Sequence, residues 1–137
     1  MALLVAIGLM LMRGSLNTLS GRYWTMSQMM SDAYLTYEGS LAQRVPMDDV
    51  VGGSSLWPLN DPAQSTVEIG KLPGGRSVTA VVHRQRVPDA NNLPSAGGSG
   101  TEVTNPAGME VWKLEAHLVY TIRGETYRKS RTVVRVR

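Results

Sequence analysis

The stretch MALLVAIGLMLMRGSLNTLSGRYWTMSQMMSDAYLTYEGSLAQR (residues 1–44) decides the fold. Residues 1–12 hold no polar side chain, and Arg13 ends the run. Twelve helical residues rise only about 18 Å, short of the roughly 30 Å of a bilayer hydrocarbon core. A secretory signal normally carries a basic region before its apolar run and a small-residue cleavage site after it. Nothing basic precedes this run, and LMLMRGSLN (9–17) is a poor cleavage site. From Leu16 onward the apolar positions Leu16, Leu19, Tyr23, Met26, Met30, Ala33, Tyr37 and Leu41 recur at spacings of three and four, a helical stripe. The other face carries Thr25, Gln28, Ser31, Asp32, Thr36 and Gln43. Pro46 cannot continue a helix and restrains Val45, so one helix, or two segments of one, is predicted over about 2–44. Its first third is apolar all round and has no partner in the domain that covers the rest. That third must be buried elsewhere, in lipid or in other subunits. Gly8, Gly14 and Gly21 each cost about 1 kcal/mol against Ala, which loosens the helix between Gly14 and Gly21.

Downstream of Pro46 the periodicity changes from helical to alternating. Residues 47–64 hold Gly52-Gly53 and the segment LWPLNDP, and are expected to be an irregular loop with Trp57 pinned against the helix. STVEIGKL (65–72) reads as a strand leading into a Pro73-Gly74-Gly75 turn. RSVTAVVHRQR (76–86) places Val78, Ala80 and Val82 on one face. The stretch 87–108 is rich in Pro and Gly and is expected to be a long exposed loop. MEVWKLEAHLVYTIR (109–123) puts Trp112, Leu114, Ala116, Leu118, Tyr120 and Ile122 on one face, as a half-buried antiparallel strand does. Gly124-Glu125 is expected to be the hairpin turn into TYRKSRTVVRVR (126–137). The fold class is therefore α+β, a long N-terminal helix packed on a small antiparallel sheet that ends in a long hairpin. Two segments follow: an apolar helical segment (1–22), and a globular domain (23–137) holding the amphipathic helix to about 44, the loop 47–64 and the sheet 65–137. The expected core is the helix stripe with Val67, Ile69, Val78, Val82, Trp112, Leu114, Leu118, Tyr120 and Ile122.

The chain of 137 residues and 42% hydrophobic composition suits one globular domain. It has no cysteine, which excludes disulfides, a thiol nucleophile and Cys-based metal sites, and two histidines, which exclude a His-rich one. No Ser–His–Asp order or telling pair of carboxylates appears, so no enzyme activity and no cofactor are expected.

The run ALLVAIGLM (2–10), the amphipathic continuation of its helix and the terminal hairpin VWKLEAHLVYTIRGETYRKSRTVVRVR (111–137) resemble type IV pilins and type II secretion pseudopilins, most closely the minor pilin or pseudopilin kind. The likeness covers 1–44 and 109–137. It implies a subunit held in the inner membrane and then polymerised, with copies of itself or with other pilins, into an extracellular filament or a periplasmic pseudopilus. The subunit interface implied is Ala2, Leu3, Leu4, Val5, Ile7, Leu9, Met10, Leu11, Met12 and Leu16. The family is made with a short basic leader and carries an acidic residue early in the mature chain. Here no Asp or Glu precedes Asp32, and Val5 stands at the acidic position if Met1 is the mature start. A chain truncated at Met1, with that residue upstream, is the expectation. The competing class is a membrane-anchored extracytoplasmic binding module using the same apolar residues.

The terminal hairpin is basic. Arg128, Lys129, Arg131, Arg135 and Arg137 are candidate contacts to a polyanion such as nucleic acid, as in a DNA-binding minor pilin, or to acidic residues of the next subunit, with Asp48, Asp49 and Asp61 as candidates. The alternative is a solvated strand face whose charges guard a sheet edge. The 87–108 loop is expected to lie outside a filament or drape over a neighbour.

Overall fold

The computed structural model describes residues 2–137, with side-chain placement for all but Ala2 and residues 17–20. Helix α1 spans Ala2–Arg44 and helix α2 spans Met47–Val51; strands β1 (Ala63–Lys71), β2 (Ser77–Pro88), β3 (Val111–Ile122) and β4 (Glu125–Val136) follow. The strands form one antiparallel meander in the order β1-β2-β3-β4. The molecule is α+β, with α1 laid across one face of the sheet. The predicted helix, the first hairpin and the alternation of β3 all appear.

β3 supplies the floor of the core. Trp112, Leu114, Ala116, Leu118, Tyr120 and Ile122 are all buried. Leu118 pairs with Val82 and Tyr120 with Ala80 in β2, so the inner faces of the two strands coincide. One cluster joins these residues to Leu35 of α1, with Val67, Ile69 and Tyr34 at its margin. A second joins Ala42, Val50, Trp57 and Leu114 at the C-terminal end of α1. Trp57 is thus held against the helix as expected.

Several expectations need correction. Residues 47–64 are not wholly irregular. Met47–Val51 form α2, which follows the extended Pro46 and buries Val50 completely. The sheet begins at Ala63 rather than 65, and β2 runs on to Pro88. The β3–β4 turn is Arg123-Gly124 rather than Gly124-Glu125. Ile122 pairs with Glu125, and both turn residues have positive φ, 50° and 83°. That is the twist a two-residue hairpin demands, and Arg123 adopts it.

The helix is also rotated relative to its apolar stripe. Its buried face is Ser27, Ser31, Leu35, Glu38 and Ala42, set roughly 100° around the helix from the stripe's centre. Of the stripe, Tyr37 and Ala33 are exposed, and Tyr23, Met26, Met30 and Leu41 are half-buried; the side chain of Leu19 lies outside the described residues. Small side chains let α1 approach the sheet closely. At the β1 side the approach is closer still: a Cβ on Gly70 would lie 2.6 Å from the Met30 sulfur, so a larger residue there would require the Met30 side chain to move.

The loop after β2 is exposed over most of its length, as expected, but its own side chains tie it down. Asn92 is 1% exposed. Its side chain donates to the Val111 carbonyl at 2.9 Å and accepts from the Val111 N–H at 2.8 Å, in the manner of a backbone strand partner. Asn105 ties the other limb down, donating to the carbonyls of Asn91 (3.2 Å) and Met109 (2.7 Å). A Cβ on Gly100 would fall 2.0 Å from the Asn91 carbonyl oxygen, so the limbs cross at a contact only glycine permits. Buried backbone groups need partners, and this loop supplies them from its own asparagines.

Candidate functional site

Two features bear on function: the N-terminal part of α1 and the helix-facing side of the basic hairpin. In the first, Leu3, Leu4, Val5, Ile7, Leu9, Met10, Leu11, Met12 and Leu16 are all exposed, from 48% for Ile7 to 75% for Leu3 and Met10. The side chain of Ala2 lies outside the described residues. Leu3 to Met12 belong to neither core cluster. No part of the helix's most apolar 18-residue window is packed inside the domain, and by length and composition the helix is long and apolar enough to cross a membrane. Full burial of a Leu, Ile, Val or Met side chain is worth about 1.5–3 kcal/mol, so the segment carries a large unsatisfied drive to leave water.

In the basic hairpin, part of the charge is turned toward α1. Register places Lys129 opposite Leu118, Arg131 opposite Ala116 and Arg135 opposite Trp112, all inner-face residues of β3. Parity therefore points Lys129, Arg131 and Arg135 at α1. Lys129 Nζ lies 2.7 Å from Asp32 Oδ1, and Arg131 Nη2 is 3.5 Å from the Thr36 hydroxyl. Arg135 Nη1 donates to the carbonyls of Ala42 (2.6 Å), Gln43 (3.1 Å) and Val45 (3.0 Å). These carbonyls at the end of α1 lack intrahelical partners, and a cation is the favoured group there. Arg137 meets Asp48 within the same chain at 3.1 Å, and Arg128 lies on the outer face. Lys129 and Arg135 thus clamp the helix, while Arg128, Arg131 and Arg137 stay exposed.

Between helix and sheet sits a charged group that sequence reasoning missed. Glu38 has no exposed side-chain area and pairs with Arg84 of β2. Arg84 Nε donates to Glu38 Oε2 at 2.8 Å, and Nη2 reaches both Glu38 Oε1 and the Tyr34 hydroxyl, the latter at 3.2 Å. Tyr34 donates to Glu38 Oε1 at 2.7 Å. Burial, then the bond to Glu38, pushes the Tyr34 phenol well above its ordinary pKa, and the bond to Glu38 raises that of Arg84. Arg86, two residues on, donates to the carbonyls of Val50 (2.6 Å), Gly52 (3.3 Å) and Trp57 (3.2 Å). Its Nε is buried without a partner, and desolvation lowers its pKa. The signal was present: the alternation Val78, Ala80, Val82 continued two steps further puts Arg84 and Arg86 inside.

His83 and His117 face each other across β2 and β3 on the outer face of the sheet. Among the described residues no three His, Cys, Asp or Glu side chains are grouped to hold a metal ion. Comparison with models of protein families, with curated proteins and with solved structures gave no match to this chain.

Proposed function

We propose that the chain is a structural subunit of a type IV pilus-like or type II pseudopilus-like filament. On this reading it is held in the inner membrane and then polymerises, with copies of itself or with related pilins, through the apolar segment within residues 1–22. One observation carries the reading. The described side chains from Leu3 to Met12 are all exposed on a helix that is continuous with a domain whose two core clusters lie elsewhere in the chain. Such a segment needs lipid before assembly and other copies of itself after it. The eight methionines of the chain include Met10 and Met12 here, and Met adapts to neighbours of slightly different shape.

A plain membrane anchor uses the same residues, and the length and hydropathy of the helix favour it as the second reading. The nucleic-acid reading loses weight, because Lys129, Arg135 and Arg137 already meet acceptors within the chain. The test is Ile7→Asp in the full chain. A carboxylate packed between apolar helices costs several kcal/mol. Electron microscopy should find filaments in the parent and none in the variant, with the near-UV circular dichroism of the domain unchanged. Filaments of equal abundance in both would remove the apolar segment from the subunit contact. No filaments in either would leave the anchor.

A further inference from the structure

The end of the domain from which the apolar segment emerges is chemically distinct. In the meander, the β1–β2 and β3–β4 turns lie at the same end of the sheet. That end meets α1 at Tyr23, whose ring centre is 5.8 Å from the Arg123 guanidinium. The apolar run ends at Arg13, but the helix continues, and from Leu3 to Arg22 it rises about 29 Å, close to the roughly 30 Å thickness of a bilayer hydrocarbon core, with Arg13 near the middle of that length. The folded domain therefore begins at the depth where a spanning helix would leave the hydrocarbon.

Three features at that level match a membrane surface. Trp24 is 48% exposed, whereas Trp57 and Trp112 are buried in the domain. Tryptophan and tyrosine favour the boundary between hydrocarbon and water. Arg22 on α1, Lys71 and Arg76 at the first turn and Arg123 at the second bring positive charge to this end, set beside Glu68 and Glu125. The Glu68 carboxylate already accepts from the Ser77 hydroxyl at 2.8 Å. A cleft of about 340 Å³ opens between helix and turns, lined by Ser27, Arg76, Ser77, Thr121 and Arg123 among others. Guanidinium groups beside hydroxyls are the donor set that a phosphodiester accepts from, and arginine meets its oxygens in pairs.

We propose that this end of the domain seats on the headgroup layer of an anionic membrane, with Arg76 and Arg123 contacting phospholipid phosphates and Trp24 at the level of the ester groups. The inference rests on the membrane stage of the function proposed above. The apolar segment sets depth, and the basic rim sets how the domain stands before it is drawn into an assembly.

The test places the full chain in phosphatidylcholine vesicles that contain a minor fraction of brominated lipid. That lipid is either phosphatidylglycerol or phosphatidylcholine. Bromine quenches at short range, so the exposed Trp24 reports, and the buried Trp57 and Trp112 give the constant background. Brominated phosphatidylglycerol should quench about twofold more than brominated phosphatidylcholine at equal fraction, because anionic lipid is enriched beside the rim. The difference should close in high salt and in Arg76→Gln/Arg123→Asn, where Asn accepts the positive φ of the turn. Inorganic phosphate at matched ionic strength should leave it unchanged. Equal quenching by the two lipids in the parent would overturn the proposal. So would displacement by inorganic phosphate, which would make the cleft a site for the free ion. Quenching by neither lipid would overturn the membrane stage itself.

Discussion

The two ends of α1 solve opposite problems with opposite chemistry. Leu3 to Met12 carry large apolar side chains, all exposed. Residues 27–42 carry mostly small or polar side chains on their buried face, Leu35 being the large apolar one, and they are fixed by Glu38–Arg84, by Lys129–Asp32 and by Arg135 on the terminal carbonyls. A helix gripped mainly through apolar contacts could slide or rotate among near-equal packings. One gripped by directional bonds at three levels has one azimuth. The polar grip fixes the second half on the sheet, while the described apolar side chains from Leu3 to Met12 stay exposed. It also explains why the apolar stripe, which runs from Leu16 to Leu41, is not centred on the face that meets the sheet.

Breaking the grip should have the largest effect on stability. Glu38→Ala leaves Arg84 buried without its partner and should cost about 3–5 kcal/mol in chemical denaturation. Glu38→Leu with Arg84→Met should recover most of that loss if the pair sets azimuth more than stability. A loss below about 1 kcal/mol for the single variant would show that water reaches the pair and that the grip lies elsewhere.

A second substitution sharpens the comparison at the far end of the sheet. Asn92→Ala removes both bonds to the Val111 backbone and should cost about 1–3 kcal/mol, with faster proteolysis confined to residues 89–110. Unchanged proteolysis would mean the crossing limbs hold the loop without that side chain.

The smallest effect concerns the outer face. Gln85 Nε2 lies 2.6 Å from Glu115 Oε2, and this bond, against a smaller opposing effect of burial, holds the Glu115 carboxyl below its ordinary pKa. A carboxyl depressed on folding stabilises above its unfolded pKa, and that contribution is lost as pH falls through the folded value. Glu115→Gln should therefore be less stable than the parent at neutral pH by below about 1 kcal/mol. The gap should close in acid, beneath the ordinary carboxylate range. A gap that persists there would assign it to packing instead.

The fold was legible where one period ran without interruption. The 2–44 helix and the alternation of 111–122 needed only counting. The azimuth of α1 was not legible from its apolar stripe, because the sheet presents Arg84, Lys129 and Arg135 to the helix and a charged partner outweighs a larger apolar side chain. The contacts of Lys129 and Arg135 with α1 were not legible for the same reason. The hairpin's parity was readable, but which parity faced inward depended on β3–β4 register, set by the Arg123-Gly124 turn. The anchoring of the 87–108 loop was not legible, because asparagine and glycine read simply as turn formers. That Asn92 would act as a strand's backbone partner needs contacts nineteen residues apart.

The central claim is that the apolar segment is no part of the domain and serves association. Sedimentation and thermal unfolding of residues 23–137, compared with the full chain, test it most directly. The fragment should be a soluble monomer with β-type circular dichroism and a cooperative transition, beside a full chain that associates or requires lipid or detergent. A fragment that is unfolded or aggregated would place the segment in the domain's own core and contradict the claim.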